Sequence, residues 1–167
     1  MGFKKTSETI AISFDLDESA ANTFTEEEIA LQLDVLNNEI FVVLAVDLNL
    51  NPPEMIGGQN SSVAGAVSST SRTTLGSLAQ TNTIAVAQEA IRSDALGSQV
   101  SFQRNATESY TGDVDYIALI STNNFYVQIA GQGNTAGKTL TGRLWGFRAR
   151  ADAATYAALV NSEVLSA

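Results

Sequence analysis

The residues Gly131-Gln132-Gly133-Asn134-Thr135-Ala136-Gly137-Lys138-Thr139 come closest to a known chemical device. A phosphate-binding loop sets four residues between its first glycine and a Gly-Lys-Thr, so that backbone N–H groups and the lysine wrap a nucleotide's phosphates. Gly137-Lys138-Thr139 supplies the end of that pattern, but the place of the first glycine holds Gln132, and Gly131 lies one residue too early. The lysine should also open a helix whose N-terminus faces the phosphate. Here Leu140 to Phe147 reads as a strand instead. Ile40 to Asp47 imitates the apolar strand ending in a magnesium-holding aspartate, yet it precedes the loop. The same stretch matches Gly-x-Gly-x-x-Ala, without the helix and second strand that a dinucleotide fold requires. A turn that uses its glycines for backbone conformation is the expectation.

Carboxylates are the remaining candidates for chemistry. The chain has no histidine and no cysteine, which removes imidazole acid–base catalysis, thiolate nucleophiles, disulfides and the usual zinc sites. Glu26, Glu27 and Glu28 are consecutive and read as a solvated run. Asp113 and Asp115 flank Val114 at a strand start and share one face; with Asp15 and Asp17 they could supply oxygen ligands to calcium, although no EF-hand spacing is present. A solvated acidic sheet face explains them as well. A glycosidase needs two carboxyls facing each other across a cleft, and no such pair is evident. Trp145, Phe147, Tyr126 and Phe125 sit on the last strands. They could form a sugar-binding platform, but core packing or a subunit interface accounts for aromatics more often. Asn60-Ser61-Ser62 and Asn105-Ala106-Thr107 are glycosylation sequons, and Met1-Gly2-Phe3-Lys4-Lys5-Thr6 fits the loose pattern for N-myristoylation. No catalytic, cofactor-binding or metal-binding residue is assigned, and no cofactor is expected.

Composition sets the class of the chain that must position these residues. Its 167 residues suit one domain over 1–167 with a real core. Apolar residues make up 44% and charged residues 16%, too apolar for a disordered chain. Nine basic against eighteen acidic residues give a net charge of −9. Such a surface repels phosphate backbones, so no direct nucleic-acid binding is expected. It also suits a salty medium that screens its self-repulsion. No run of eighteen apolar residues marks a membrane span, and the start lacks a signal peptide's apolar stretch.

Period-two patterns dominate. Ile10, Ile12, Phe14 and Leu16 alternate with Ala11, Ser13, Asp15 and Asp17. Ser19 to Glu28 reads as a loop, and Ile29 to Val35 alternates again. Beyond the turn Leu36-Asn37-Asn38-Glu39, Ile40 to Leu50 is the strongest strand. Ile40, Val42, Leu44, Val46, Leu48 and Leu50 share one face, and Phe41, Val43 and Ala45 make the other apolar as well; such a strand is buried on both faces. Pro52 and Pro53 end it. Gly57 to Thr83, rich in Ser, Thr, Gly and Ala, reads as a long loop with one weak strand near Thr73 to Leu78. It is either a flexible linker or a segment that orders against a neighbour. Ile84 to Ala95 fits a strand or a helix. Ser98 to Arg104 is a strand, Val114 to Ser121 and Phe125 to Ala130 read as a hairpin, and Thr139 to Arg150 is the last strand, with Gly142 and Gly146 suited to a bulge. In the tail, over 152–165, Asp152 is an N-cap, and Ala153, Tyr156, Ala157, Val160 and Val164 fall at helical spacing. About eight strands with no βαβ rhythm predict a mainly β, antiparallel sandwich of the single jelly-roll kind with a short C-terminal helix.

Leu36-Asn37-Asn38-Glu39-Ile40-Phe41-Val42-Val43-Leu44-Ala45-Val46-Asp47-Leu48 and Gly142-Arg143-Leu144-Trp145-Gly146-Phe147-Arg148-Ala149-Arg150-Ala151-Asp152 resemble virion proteins from salty habitats. The nearest family is the single jelly-roll capsid proteins of tailless icosahedral viruses of halophilic archaea and their relatives. The resemblance lies in texture over much of the chain and brings no diagnostic motif. It implies a capsid subunit of the virion that self-associates into pentamers or hexamers and touches other coat proteins or an internal membrane. It implies no catalytic residue, and no small-molecule substrate is expected. The alternative from a different class is a carbohydrate- or receptor-binding sandwich, which needs a surface aromatic cluster around Trp145.

Overall fold

The computed structural model describes residues 2–104, 107–108 and 115–166. They form β1 (Phe3–Lys5), β2 (Ile10–Asp17), β3 (Thr25–Ala30), β4 (Glu39–Leu50), β5 (Ser61–Ser68), β6 (Thr83–Ser93), β7 (Gln99–Arg104), β8 (Thr107–Glu108), β9 (Ala118–Ile120), β10 (Asn124–Gln132), β11 (Thr139–Ala151) and α1 (Ala153–Ser166). The strands pair as nested brackets. β2 pairs with β11, β3 with β10, β4 with β8 and β9, and β5 with β6, all antiparallel. Rolling that long hairpin adds the pairings of β11 with β4 and β10 with β5. The outcome is a six-stranded sheet, with β2, β11, β4 and β9 in order, and a five-stranded sheet ordered β3-β10-β5-β6-β7. This is the jelly roll the sequence predicts, extended by β1, β7 and the two-residue β8. Its core lies between the sheets, where Phe14, Leu16, Phe41, Val43, Val46, Leu48, Val63, Val67, Phe125, Ile129, Leu140 and Leu144 pack together.

β4 does not keep one face throughout. Its register with β11 shifts between Trp145 and Gly146. A bulge places one extra residue on a strand, and every side chain beyond it changes sides. Phe41 and Val43 therefore join Val46, Leu48 and Leu50 in the core, while Ile40, Val42 and Leu44 face outward. Gly146 makes the bulge sterically possible, because a Cβ there would lie 2.2 Å from the Val42 carbonyl oxygen. The outward residues are covered by α1: Tyr156 and Leu159 pack on Ile40, Val42, Ala149 and Ala151. Asp152 caps this helix, accepting from the Thr155 N–H at 2.7 Å. Its inward line is Tyr156, Leu159 and Glu163 rather than the expected Ala153, Ala157 and Val164, of which Val164 is exposed.

The Gly57 to Thr83 segment is corrected most. Ser61–Ser68 is the middle strand of the five-stranded sheet, and Thr73 to Leu78 forms no strand. Small residues dominate β5 because both its faces are covered closely. A Cβ on Gly65 would come within 3.2 Å of both Leu140 and Leu50. Three smaller corrections follow. β3 begins inside the expected loop and stops at Ala30, and buried Leu31 and Leu33 continue as irregular chain, with the Arg148 guanidinium donating to the Leu31 carbonyl at 2.5 Å. Thr83–Ser93 is wholly a strand. β9 and β10 make no hairpin, since they belong to different sheets.

Candidate functional site

The glycine-rich stretch 131–139 is a turn between β10 and β11, and the backbone N–H groups of Gly131, Asn134, Thr135, Ala136, Lys138 and Thr139 are already occupied. Glu18, on the chain just after β2, accepts from Gly131 at 2.6 Å and from Lys138 at 2.9 Å. Glu54 accepts from the Thr135 N–H at 2.7 Å, the Thr135 hydroxyl at 2.8 Å and the Ala136 N–H at 3.2 Å. The Lys138 ammonium lies 3.7 Å from Glu54. Asn134 completes the cluster by donating to the Ser62 carbonyl and accepting from the Glu54 N–H at 3.0 Å. The donors that would wrap a phosphate wrap two carboxylates of the same chain. A nucleotide phosphate would have to displace both, against like charge. The Thr135 N–H is the main cause holding the Glu54 carboxyl below its ordinary 4.5, helped by the Thr135 hydroxyl, Lys138 and the Ala136 N–H and opposed by burial. This is a structural staple joining three turns at one end of the sandwich.

A second polar cluster was hidden in the expected loop. Gln128 on β10 is fully buried on the outer face of the five-stranded sheet. Its amide donates to Glu26 at 2.9 Å and to the Ser68 hydroxyl at 2.8 Å, and accepts from the Gly76 N–H at 3.2 Å. Glu26 accepts in turn from the Ser71 hydroxyl at 2.5 Å and the Arg72 N–H at 2.8 Å. Asn82 donates to the Thr70 hydroxyl and accepts from Arg72. Residues 69–82 are thereby pinned over β5 and β10. Of the three consecutive glutamates, Glu27 and Glu28 differ in fate from Glu26, which is half-buried and engaged. The sequence signal was the isolated Gln128 between Val127 and Ile129.

The aromatic row disperses. Phe125 is buried edge-on against Phe14, Phe147 lies by α1, and Tyr126 is on the other sheet. Trp145 lies at an open groove of about 410 Å³, with Ser13, Asp47, Asn49, Thr141 and Arg143 around it. Arg143 stacks 5.9 Å from the Trp145 ring. The calcium candidates do not converge. Asp15 and Asp17 are exposed on β2, where Asp17 accepts from the Thr139 hydroxyl at 2.6 Å, and Asp115 precedes β9, which pairs at the far end of β4. Asp113 lies outside the described residues, as does Asn105, and among the described residues no three carboxylates share a site. Asn60 is occupied, accepting from the Ser93 N–H at 2.9 Å.

The two sheet edges complete the surface. In the five-stranded sheet, β3 ends one side with exposed Glu27 and Glu28, and β7 ends the other with exposed Val100 and Phe102.

No family model matches the chain, and no curated protein matches it. Solved structures similar to it include one from desmodium yellow mottle tymovirus, at 14% identity over 84% of this chain and 87% of that one, with a TM-score of 0.31. Another is from turnip yellow mosaic virus, at 12% identity over 86% and 82% and the same TM-score of 0.31. Neither is a virus of halophilic archaea, the group to which the sequence texture points. Likeness at this level carries no argument, and the jelly-roll assignment rests on the strand order itself.

Proposed function

We propose that the chain is a structural subunit that assembles with copies of itself, as a coat protein of a virion shell. The observation that carries this reading is the β7 edge, with which no further strand pairs among the described residues. Monomeric sheet proteins guard their edges with charge, proline, bulges or a covering segment. This chain guards the β3 edge with glutamates and covers part of each outer sheet face with its own segments, yet Gln99–Gln103 carries no charge and exposes Val100 and Phe102. The cluster most like a catalytic device, at 131–139, has its donors occupied by Glu18 and Glu54, which suits a scaffold better than an enzyme.

The test is the mass of the native protein by light scattering at low and at molar salt. Closed rings or shells favoured by salt are expected, because screening relieves repulsion between subunits of net charge −9. A monomer under both conditions overturns the reading. The polar groove at Trp145 then becomes the better account, as the recognition surface of a glycan-binding sandwich.

A further inference from the structure

The two edges of the five-stranded sheet are built differently. β3 presents Glu27 and Glu28, and two copies meeting antiparallel there would set glutamate against glutamate. Like charges directly opposite each other destabilise a strand pair. β7 pairs with β6 on one side, and among the described residues no strand pairs with its other side. Val100 and Phe102 are 54% and 57% exposed, on the sheet face that also holds Arg92 and Ala90, and Leu96 at the hairpin tip is 94% exposed.

β7 is also self-complementary. Gln99-Val100-Ser101-Phe102-Gln103 has the same residue types read from either end about Ser101. A two-fold axis through Ser101 would set Gln99 against Gln103, Val100 against Phe102, and Ser101 against its own copy. Both apolar side chains then gain a cross-strand apolar partner on one face. At each end, Arg104 arrives opposite Ser98 of the second copy. That residue closes a turn with Asp94, whose N–H donates to the Ser98 carbonyl at 2.9 Å and whose carboxylate accepts from the Ser98 N–H at 2.8 Å. The charges at the ends of the seam are therefore of opposite sign, in a chain whose surface otherwise repels its own kind.

We infer that β7 is the edge through which two copies of this chain join, antiparallel about Ser101, into one continuous ten-stranded sheet. An isologous contact of this kind closes as a dimer, and strand addition supplies affinity through main-chain hydrogen bonds. The inference rests on the self-assembly reading and names its contact. Six residues make a small seam, so the dimer is weak by itself and acts as one contact among several in a larger shell.

Ser101 gives a direct test, because it is exposed and any charge placed there meets itself. Light scattering of the full chain is compared for wild type, Ser101→Lys, Ser101→Glu and an equimolar mixture of the two variants. The expected result is a dimer or larger species for wild type, association weakened about tenfold or more in each variant, and recovery in the mixture, where lysine faces glutamate. If both variants keep the wild-type mass, the β7 seam is wrong while self-assembly stands. If both lose association but the mixture does not recover it, the antiparallel register about Ser101 is wrong. A wild type that is monomeric at every salt and concentration overturns the assembly reading together with the seam.

Discussion

Over the five-stranded sheet, the chain's own cover is residues 69–82, held by Gln128, Glu26, Ser68 and Gly76 through hydrogen bonds over a floor of Ala66 and Ser68. Over the six-stranded sheet the cover is α1, held by Tyr156 and Leu159 packing on Ile40, Val42 and Ala149, with one side-chain tether, Glu163 accepting from the Ser121 N–H at 2.9 Å. The first cover is fixed in one geometry, since each buried donor and acceptor needs its particular partner. The second is held by area, and a helix on an apolar face tolerates small shifts at little cost. The polar cover sits on the sheet that carries β7, and its hydrogen bonds hold the middle strands β5 and β10 of that sheet in one geometry.

The largest effect should come from breaking the polar cover. Gln128→Ala would leave the buried Gly76 N–H without its acceptor, take one bond each from Glu26 and Ser68, and empty a fully buried place. Unpaired buried polar groups cost about 1–3 kcal/mol each, so a loss of about 2–4 kcal/mol is expected in denaturant unfolding. Leu159→Ala, on the apolar cover, should cost about 1–2 kcal/mol, because Leu159 is only half-buried. Hydrogen exchange should show local release of residues 69–82 in the first variant and uniform loosening of α1 in the second. A Gln128→Ala loss no greater than that of Leu159→Ala would mean that the polar network follows the cover rather than holding it.

Acid sharpens the same contrast. The staple at 131–138 is polar throughout, and Glu54 has its carboxyl held below the ordinary 4.5, chiefly by the Thr135 N–H. A carboxyl lowered in the folded state stabilises it above the unfolded value, and the contribution disappears as pH falls through 4.5 toward the folded value. Asp152, lowered from 3.8 chiefly by the Thr155 N–H, does the same for the first turn of α1. Below it, however, Tyr156 and Leu159 keep their apolar contacts. Between pH 5 and 3, wild type should therefore lose more unfolding free energy than Glu54→Gln, and the Thr135 and Ala136 amides should exchange faster well before the middle of α1 opens. Equal pH slopes for wild type and Glu54→Gln would remove Glu54 from the account.

What could be read in advance follows the same division. Clean period two in Ile10–Asp17 and the long apolar run of Glu39–Leu50 marked two strands of the six-stranded sheet, and Gly146 marked the bulge. The helix was marked by Asp152 and a period near four. Its face was misplaced by one residue because alanines dilute the pattern and the buried side chain at the last turn is Glu163. β5 was missed because Ser61-Ser62-Val63-Ala64-Gly65-Ala66-Val67-Ser68 has the composition of a loop. Small residues are needed there precisely where two layers approach closely, and that requirement comes from Leu50 and Leu140, far away in sequence. The clusters around Gln128, Glu18 and Glu54 share that difficulty. Gln128 reaches Gly76 across 52 residues and Glu18 reaches Lys138 across 120, and no local pattern announces such pairs.

The smallest effect should run in the opposite direction. Beneath α1, Glu163 is buried with one carboxylate oxygen bonded to the Ser121 N–H, while its other oxygen and the Ser121 hydroxyl have no hydrogen-bond partner among the described residues. Glu163→Gln keeps the acceptor for the Ser121 N–H and converts the unpaired oxygen into an N–H donor that can turn toward the Ser121 hydroxyl. It also replaces a buried acidic side chain by a neutral one, and a buried polar group with few partners is costly. Stability should stay level or rise by up to about 1 kcal/mol, whereas Glu163→Ala should lower it by deleting the tether. If the glutamine variant is instead markedly weaker than wild type, the carboxyl group itself holds the helix. The six-stranded sheet's cover would then be as dependent on a specific polar contact as the cover over Gln128, and the contrast between the two faces would disappear.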